Sequence, residues 1–290
     1  MSVITLLSAR SYGTSTTALA LAFTWPRPVL LVEADPAGGT IRAGFFEGDL
    51  GVERGLHHLA EAHRAGRLAE AFENHLITLE EGRLLLPGLT DPLQAQGLVR
   101  TWEPLSAVFA GLESAGLDVL VDAGRVIQSA GQLAEEYPAA VVYRSDLVMM
   151  VAQSHLPSVA ATRPVLASLT AARRQHAPAG LPPALLMLDN GPVTAGEAAQ
   201  HLGLGGNMVL QLPWDEERAK VFSLGRGRRA PAPKRSPLMK AAAQVGQAMC
   251  NAVANARQQQ PVQLPARRAV GLSPREVATA LAQARGVSGG

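Results

Sequence analysis

The sequence predicts an α/β fold: a doubly wound, mostly parallel sheet with helices on both faces. Three observations carry the prediction. A strand, a polar loop, a helix and a second strand follow one another before Pro36, which is a βαβ unit and implies parallel pairing through a crossover. Six or seven short apolar runs then alternate with helical stretches up to residue 256, the pattern of strands covered on both faces. Finally, 47% of the 290 residues are apolar and only 4% are aromatic, so a large core can form from tightly packed helix-on-sheet layers.

The elements follow in order. Residues 2–7 are the first strand, a short apolar run. Residues 8–17 are small and polar, and residues 18–23 read as helix, with no breaker before Pro26. Residues 29–32 are the second strand, ending in Glu33-Ala34-Asp35-Pro36 and the glycines Gly38 and Gly39. The stretch 53–81 reads as helical, with its polar and charged residues on one face. Residues 84–86 make a short strand before Pro87-Gly88. Over 93–115, Leu98, Trp102, Leu105, Phe109 and Leu112 recur at helical spacing. Residues 119–121 and 147–151 are buried strands, the second followed by a helix over 156–175. Residues 184–188 and 208–212 complete the strands, and a helix over 236–256 closes a domain of residues 1–256. Residues 257–271, rich in Gln, Pro and Arg, read as a linker. The tail, 272–290, carries a short helix in which Ser273 is the N-cap, Pro274 lies at N1 and Glu276 completes a capping box. Its apolar face is mostly alanine, too little area for firm membrane binding and better suited to docking on a partner.

Composition narrows the function classes. A single cysteine, Cys250, excludes a disulfide framework and fits a reducing cytoplasm. No secretory leader pattern opens the sequence, and no apolar run approaches the roughly 18 residues of a membrane span. The expected location is therefore cytoplasmic, with contact at the inner face of a membrane indirect or weak. The net charge is only +2, and basic side chains gather at Arg226, Arg228, Arg229, Lys234 and Arg235. Glycine and proline interrupt that run and no aromatic accompanies it, so it reads as a solvated loop before a nucleic-acid surface. His57, His58 and His63 lack a carboxylate or cysteine at ligand spacing and read as a solvated helix face. Ser8, Ser11 and Ser15 show neither a nucleophile elbow nor a paired base.

In an open parallel sheet, ligands bind at the carboxyl ends of the strands. The first loop there reads Ser8-Ala9-Arg10-Ser11-Tyr12-Gly13-Thr14-Ser15-Thr16-Thr17. A phosphate-binding loop needs glycine, inward backbone N–H groups, a lysine for the terminal phosphates and a Ser or Thr for Mg²⁺. Gly13 and a hydroxyl cluster are present, and a helix N-terminus favours an anion. Lysine is absent: the chain has three, Lys220, Lys234 and Lys240, all late. Further strand ends carry Val32-Glu33-Ala34-Asp35-Pro36, the run from Asp118 to Asp122, and Leu212-Pro213-Trp214-Asp215. Asp35-Pro36 and Asn190-Gly191-Pro192 also have the composition of ordinary turns.

These motifs, in this order across residues 1–250, resemble the successive motifs of the MinD/ParA branch of P-loop NTPases. Within that branch the chain is similar to divergent members such as the TadZ/CpaE-type pilus-assembly localisation proteins, whose nucleotide sites are often eroded. The resemblance implies a nucleotide site at Arg10, Ser11, Gly13, Thr14, Ser15 and Thr16, with Thr14 standing where the usual lysine would be. Ser15 falls at the Mg²⁺ hydroxyl. Ala9 falls at the family's additional lysine, and a register one residue on puts Arg10 there. Asp35 matches the carboxylate that orients the attacking water, and Asp122 the one that acts on Mg²⁺ through water; Gly124 follows in the second switch loop. Asn190 resembles the asparagine that reads adenine, and Pro213 and Asp215 border the base. The cofactor implied is ATP or ADP with Mg²⁺, held without either lysine, and an ATPase weak at most.

The resemblance further implies a face-to-face homodimer that positions or regulates a larger assembly of pilus or secretion type through a protein partner. Two alternatives stay open: an active ParA-type ATPase that partitions DNA or cargo, and a nucleotide-free scaffold.

Overall fold

The apolar runs become the inner strands of one eight-stranded sheet in the computed structural model, which describes residues 2–10, 13–129, 132–177, 180–225 and 236–259. β1 (Val3–Ser8) and β2 (Val29–Glu33) are buried at every position, and α1 (Thr14–Thr24) crosses between them. Strands covered on both faces have no solvent side, so they read as continuous apolar runs with no alternation.

The stretch 53–81 departs from the expected helix. It breaks into α2 (Leu56–Arg64), α3 (Leu68–Phe72), a 3₁₀ turn and then a strand, β3 (Ile77–Glu80). Gly66, at φ 70°, ends the first helix, and Gly82, at φ 70°, turns β3 back onto β4 (Arg83–Leu86) in the sheet's antiparallel pair. Ile77-Thr78-Leu79-Glu80 alternates half-buried and exposed, the signature of a strand with one wet face. Residues 92–115 are likewise divided, into a 3₁₀ stretch, α4 (Trp102–Gly111) and a second short 3₁₀ turn, yet the predicted stripe from Leu98 to Leu112 is buried throughout.

β5 (Asp118–Arg125) runs longer than its apolar centre suggests. A small hairpin, β6 (Gln128–Ser129) and β7 (Gln132–Leu133), and α5 (Ala139–Arg144) then precede β8 (Leu147–Gln153). α6 (Leu156–His176), β9 (Ala184–Asp189), α7 (Ala195–Leu202), β10 (Val209–Pro213) and α8 (Glu216–Leu224) follow. α9 (Pro237–Gln259) covers the closing helix and extends it by three residues past 256. The remaining linker residues from 260 and the tail helix, like the basic run at 226–235, lie outside the described residues.

The strand order is β10-β9-β8-β1-β5-β2-β4-β3. The chain builds outward from β1 through β2 to β3, fills the gap with β5, and then builds the other way from β8. α1, α8 and α9 pack on one face, and α4, α5, α6 and α7 follow one another across the other. The reversal of direction lies between β1 and β8, so a crevice opens at their carboxyl ends. Among the described residues, no helix is long and apolar enough to cross a membrane.

Candidate functional site

β1 delivers Ser8 to the crevice with its side chain buried, and Ala9 and Arg10 emerge beyond it. Ser11 and Tyr12 lie outside the described residues. Gly13 is the N-cap of α1 at φ 79°, a left-handed conformation, and its carbonyl accepts the Thr17 N–H at 2.9 Å. A Cβ there would stand 2.8 Å from Leu188 Cδ1 at the end of β9. The backbone angle favours glycine, and a side chain there would also push Leu188 aside. Gly13→Ala should therefore cost about 1–3 kcal/mol of stability, read as a lower urea midpoint with unchanged m.

The first turn of α1 has no side-chain cap and no acidic residue, so its N–H groups stay available to an anion. Thr14 is buried and donates its hydroxyl to Ser8 Oγ at 3.2 Å, while Ser15 and Thr16 are half-buried on the same turn.

Three carboxylates stand beside this turn. Glu33 and Asp122 are register partners on adjacent strands β2 and β5, and both are buried. Asp122 Oδ1 accepts the Gly124 N–H at 3.0 Å, but Oδ2 has no well-formed hydrogen bond among the described residues. Burial pushes the Asp122 pKa up to about 7, with the Ser15 hydroxyl and the Gly124 amide opposing and the negative charges of Glu33 and Asp35 adding to the rise. Asp35 is half-buried, accepts the Ala37 N–H at 2.8 Å and lies against Gly124, where a side chain would collide with its carboxylate. Its pKa is also raised by burial, against the pull of the Ala37 N–H and of Arg125.

The two ends of β5 make an internal control. Asp118, at the amino end, is as buried as Asp122 but fully engaged: it accepts from Ser2 N at 2.6 Å, Ser2 Oγ at 3.2 Å, Trp25 Nε1 at 2.8 Å and Arg27 Nε at 2.8 Å. A buried carboxylate in a purely structural role is satisfied in this way. Asp122 is not. Tyr137 adds to the imbalance: it is fully buried, its hydroxyl has no partner among the described residues, and its pKa is driven up by burial and by Asp35 and Asp122.

On the far side of the crevice, β9 and β10 pair in register to Asp189 and Pro213. Ser154, just past β8, holds the next turn: its hydroxyl accepts the Asn190 N–H at 2.8 Å and the Gly191 N–H at 2.5 Å. Asn190 Oδ1 is buried without a hydrogen bond among the described residues. Asp215 caps α8 through Oδ1, which accepts the Arg218 N–H at 3.1 Å, and its buried Oδ2 is unpartnered among the described residues. Trp214, which precedes Asp215 in the chain, is half-exposed.

No protein-family model and no curated protein matches the chain. Solved structures match over nearly their whole length. The septum site-determining protein MinD from Pyrococcus horikoshii OT3, complexed with Mg-ADP, aligns at a TM-score of 0.61 and 17% identity, covering 87% of this chain and 98% of that one. A ParA family ATPase from Chlorobium tepidum TLS aligns at 0.59 and 17% identity, covering 85% and 97%. A chain of the MinC:MinD cell division protein complex of Aquifex aeolicus aligns at 0.59 and 16% identity, covering 91% and 99%. The chain has the fold of the MinD and ParA ATPases.

On this MinD/ParA fold, the residues singled out from sequence fall into two groups. Gly13, Thr14, Ser15, Thr16, Asp35, Asp122 and Gly124 gather at the carboxyl ends of β1, β2 and β5. Asn190, Pro213 and Asp215 gather at those of β9 and β10, and the Leu188–Gly13 contact joins the two. Arg10 is exposed at the mouth. Glu33 and Tyr137 are the side chains that sequence reasoning left without a role. The His57 and His58 rings lie 3.8 Å apart and tilted, and His75 stacks on His58 at 5.2 Å, but no metal-holding group of three forms among the described residues. Lys220 pairs with Glu216 at 3.0 Å and Glu217 at 2.9 Å on α8, so its charge is already engaged.

Proposed function

We propose that the protein is a nucleotide-responsive positioning protein: it binds ATP or ADP with Mg²⁺, turns ATP over slowly at most, and uses its bound state to place or regulate a larger assembly. The observation that carries this reading is Asp122, a buried carboxylate beside the Ser15 hydroxyl on the first turn of α1, with one oxygen that no well-formed hydrogen bond satisfies among the described residues. Those residues fit a magnesium nucleotide: Ser15 and Asp122 would hold Mg²⁺, Asp122 through water, and the α1 N–H groups would face the phosphates. Asp35 would orient a water. What the site lacks is the lysine, since no lysine precedes Lys220. Loss of one such cation removes a large part of phosphoryl-transfer catalysis; an arginine finger alone contributes about 10³–10⁵ in rate. Retained carboxylates without that cation suit a switch better than an engine.

A homodimer joined through this edge belongs to the same reading. The exposed apolar side chains Val52, Leu93 and Leu156 all follow carboxyl ends of strands, on the edge that carries the site. A pilus or secretion apparatus is the assembly favoured by the TadZ/CpaE-like motif pattern. The deciding experiment is calorimetric titration with ATP and ADP plus Mg²⁺, repeated on Asp122→Ala. Micromolar binding that the substitution weakens tenfold or more supports the reading, by about 1.4 kcal/mol or more. A folded protein that binds neither nucleotide is a scaffold, and the reading fails.

A further inference from the structure

We propose that His57, His58 and His75 form an acid-released latch, which holds the segment 49–54 against α2 at neutral pH and frees it when the imidazoles take up protons. The inference stands apart from the nucleotide reading. Three rings from two elements meet here. His57 and His58, in the first turn of α2, lie 3.8 Å apart and tilted, and His75, at the end of the 3₁₀ turn Glu73–His75, stacks on His58 at 5.2 Å. His57 Nδ1 and His75 Nδ1 are enclosed without a hydrogen bond among the described residues. A neutral ring loses little by hiding a lone pair, but a protonated one gains a donor with nothing to receive it.

The same place ties down the segment. Arg42 donates to the carbonyls of Leu50 at 3.0 Å, of Gly51, and of Arg54 at 2.8 Å. Arg54 donates in turn to the Leu76 carbonyl at 3.1 Å, next to His75. His58 Nε2 lies 3.0 Å from the Val52 carbonyl, which can only accept, so that nitrogen carries a hydrogen. Two guanidinium groups thus act on the imidazoles, and the opposing carboxylate is Glu61, 3.6 Å from His58 Nδ1. Glu53 acts on Arg42, and His63 of α2 is placed 3.2 Å from Thr101 Oγ1. Glu73 on the 3₁₀ turn and Glu70 on α3 are the further carboxylates of elements packed on α2, while residues 92–98 bring no titratable side chain. Burial lowers the pKa of His57 and His75 from 6.5; the neighbouring imidazoles, Arg42 and Arg54 add to the fall and Glu61 opposes it. A group depressed on folding contributes stability above its unfolded value and loses it as pH falls. The latch is therefore closed at neutral pH and weakens below 6.5. Its release brings the rings and guanidinium groups into water, and exposed Val52 moves with the segment.

The test is hydrogen exchange of the full chain at pH 8 and pH 5, corrected for the intrinsic exchange rate. In the wild type, protection of the amides of residues 50–54 should fall about tenfold at the lower pH while the strands keep theirs. His57→Gln combined with His75→Gln is neutral at both pH values and should hold that protection constant. Imidazole proton resonances give a second reading on the wild type: of the seven histidines, two should titrate below 6.5. Equal corrected exchange at the two pH values overturns the latch. So does a loss of protection at pH 5 that survives in the double variant, since the sensor would then be a carboxylate such as Glu53 or Glu61. If the double variant does not fold, the resonances decide: two histidines below 6.5 support the latch, and seven at or above it overturn the proposal.

Discussion

Asp122→Asn is expected to make the protein more stable than the wild type at pH 8, and by less at pH 5. A carboxyl whose pKa rises from 3.8 to about 7 on folding holds its proton more tightly in the native state. Its stabilising contribution is therefore complete below 3.8 and is lost as pH rises through 7. Above that, the native state carries a buried, incompletely bonded anion, at a cost of about 4 kcal/mol relative to an unperturbed carboxyl. Asparagine stays neutral throughout and keeps an oxygen to accept the Gly124 N–H. Between pH 5 and pH 8 its advantage should grow by about 2–3 kcal/mol, read from urea unfolding at the two pH values. Parallel stability curves for the two proteins would mean that Asp122 is ionised and solvated in the native state. The same substitution should weaken any magnesium nucleotide, so stability gained and binding lost would share one cause.

Glycine, proline and apolar runs made most of the sheet legible. β1, β2, β5, β8 and β9 are buried at nearly every position, so each appears as a plain hydrophobic run with a turn signal after it. β3 was hidden because it is an edge strand with one wet face, and Ala, Glu, Arg and Leu upstream favour helix strongly enough to carry that reading past Gly66. The β6–β7 hairpin is too short to leave any period. In the site, the residues found from sequence are those a motif places by spacing. Tyr137 follows a hairpin in irregular chain, and only the fold brings its hydroxyl toward Asp35 and Asp122. Glu33 stood two residues before Asp35 in the quoted motif, but a strand-end glutamate gives no sign that the chain will fold around it.

Glu33→Ala is expected to loosen the loop that carries Asp35 and to cost about 3–5 kcal/mol. Glu33 Oε1 accepts the Thr40 N–H at 2.6 Å and the Ile41 N–H at 2.8 Å, and Oε2 accepts the Gly88 N–H at 2.9 Å. The carboxylate thus gathers the loop after β2 and the loop after β4 around one buried anion. Gly39 and Gly88 make room for it: a Cβ at Gly39 would sit 2.5 Å from Oε2, and one at Gly88 would sit 2.9 Å from Cγ. Alanine leaves three buried amides unpartnered, each worth about 1–3 kcal/mol, and the helical turns from Ile41 onward lose their anchor. Glutamine separates charge from geometry. Its oxygen can serve Thr40 and Ile41, while its NH₂ group faces the Gly88 N–H and forfeits that bond. Burial raises the Glu33 pKa despite the three amides and Arg42, so the wild type loses stability as pH rises and a neutral side chain is relieved of that loss. Glu33→Gln should therefore stay within about 1 kcal/mol of the wild type at pH 8. Hydrogen exchange makes the assignment local: in Glu33→Ala the amides of Thr40, Ile41 and Gly88 should lose protection before the strands do. Equal damage from alanine and glutamine would show that the charge, not the acceptor geometry, holds the loop, and that Asp35 is positioned by some other contact.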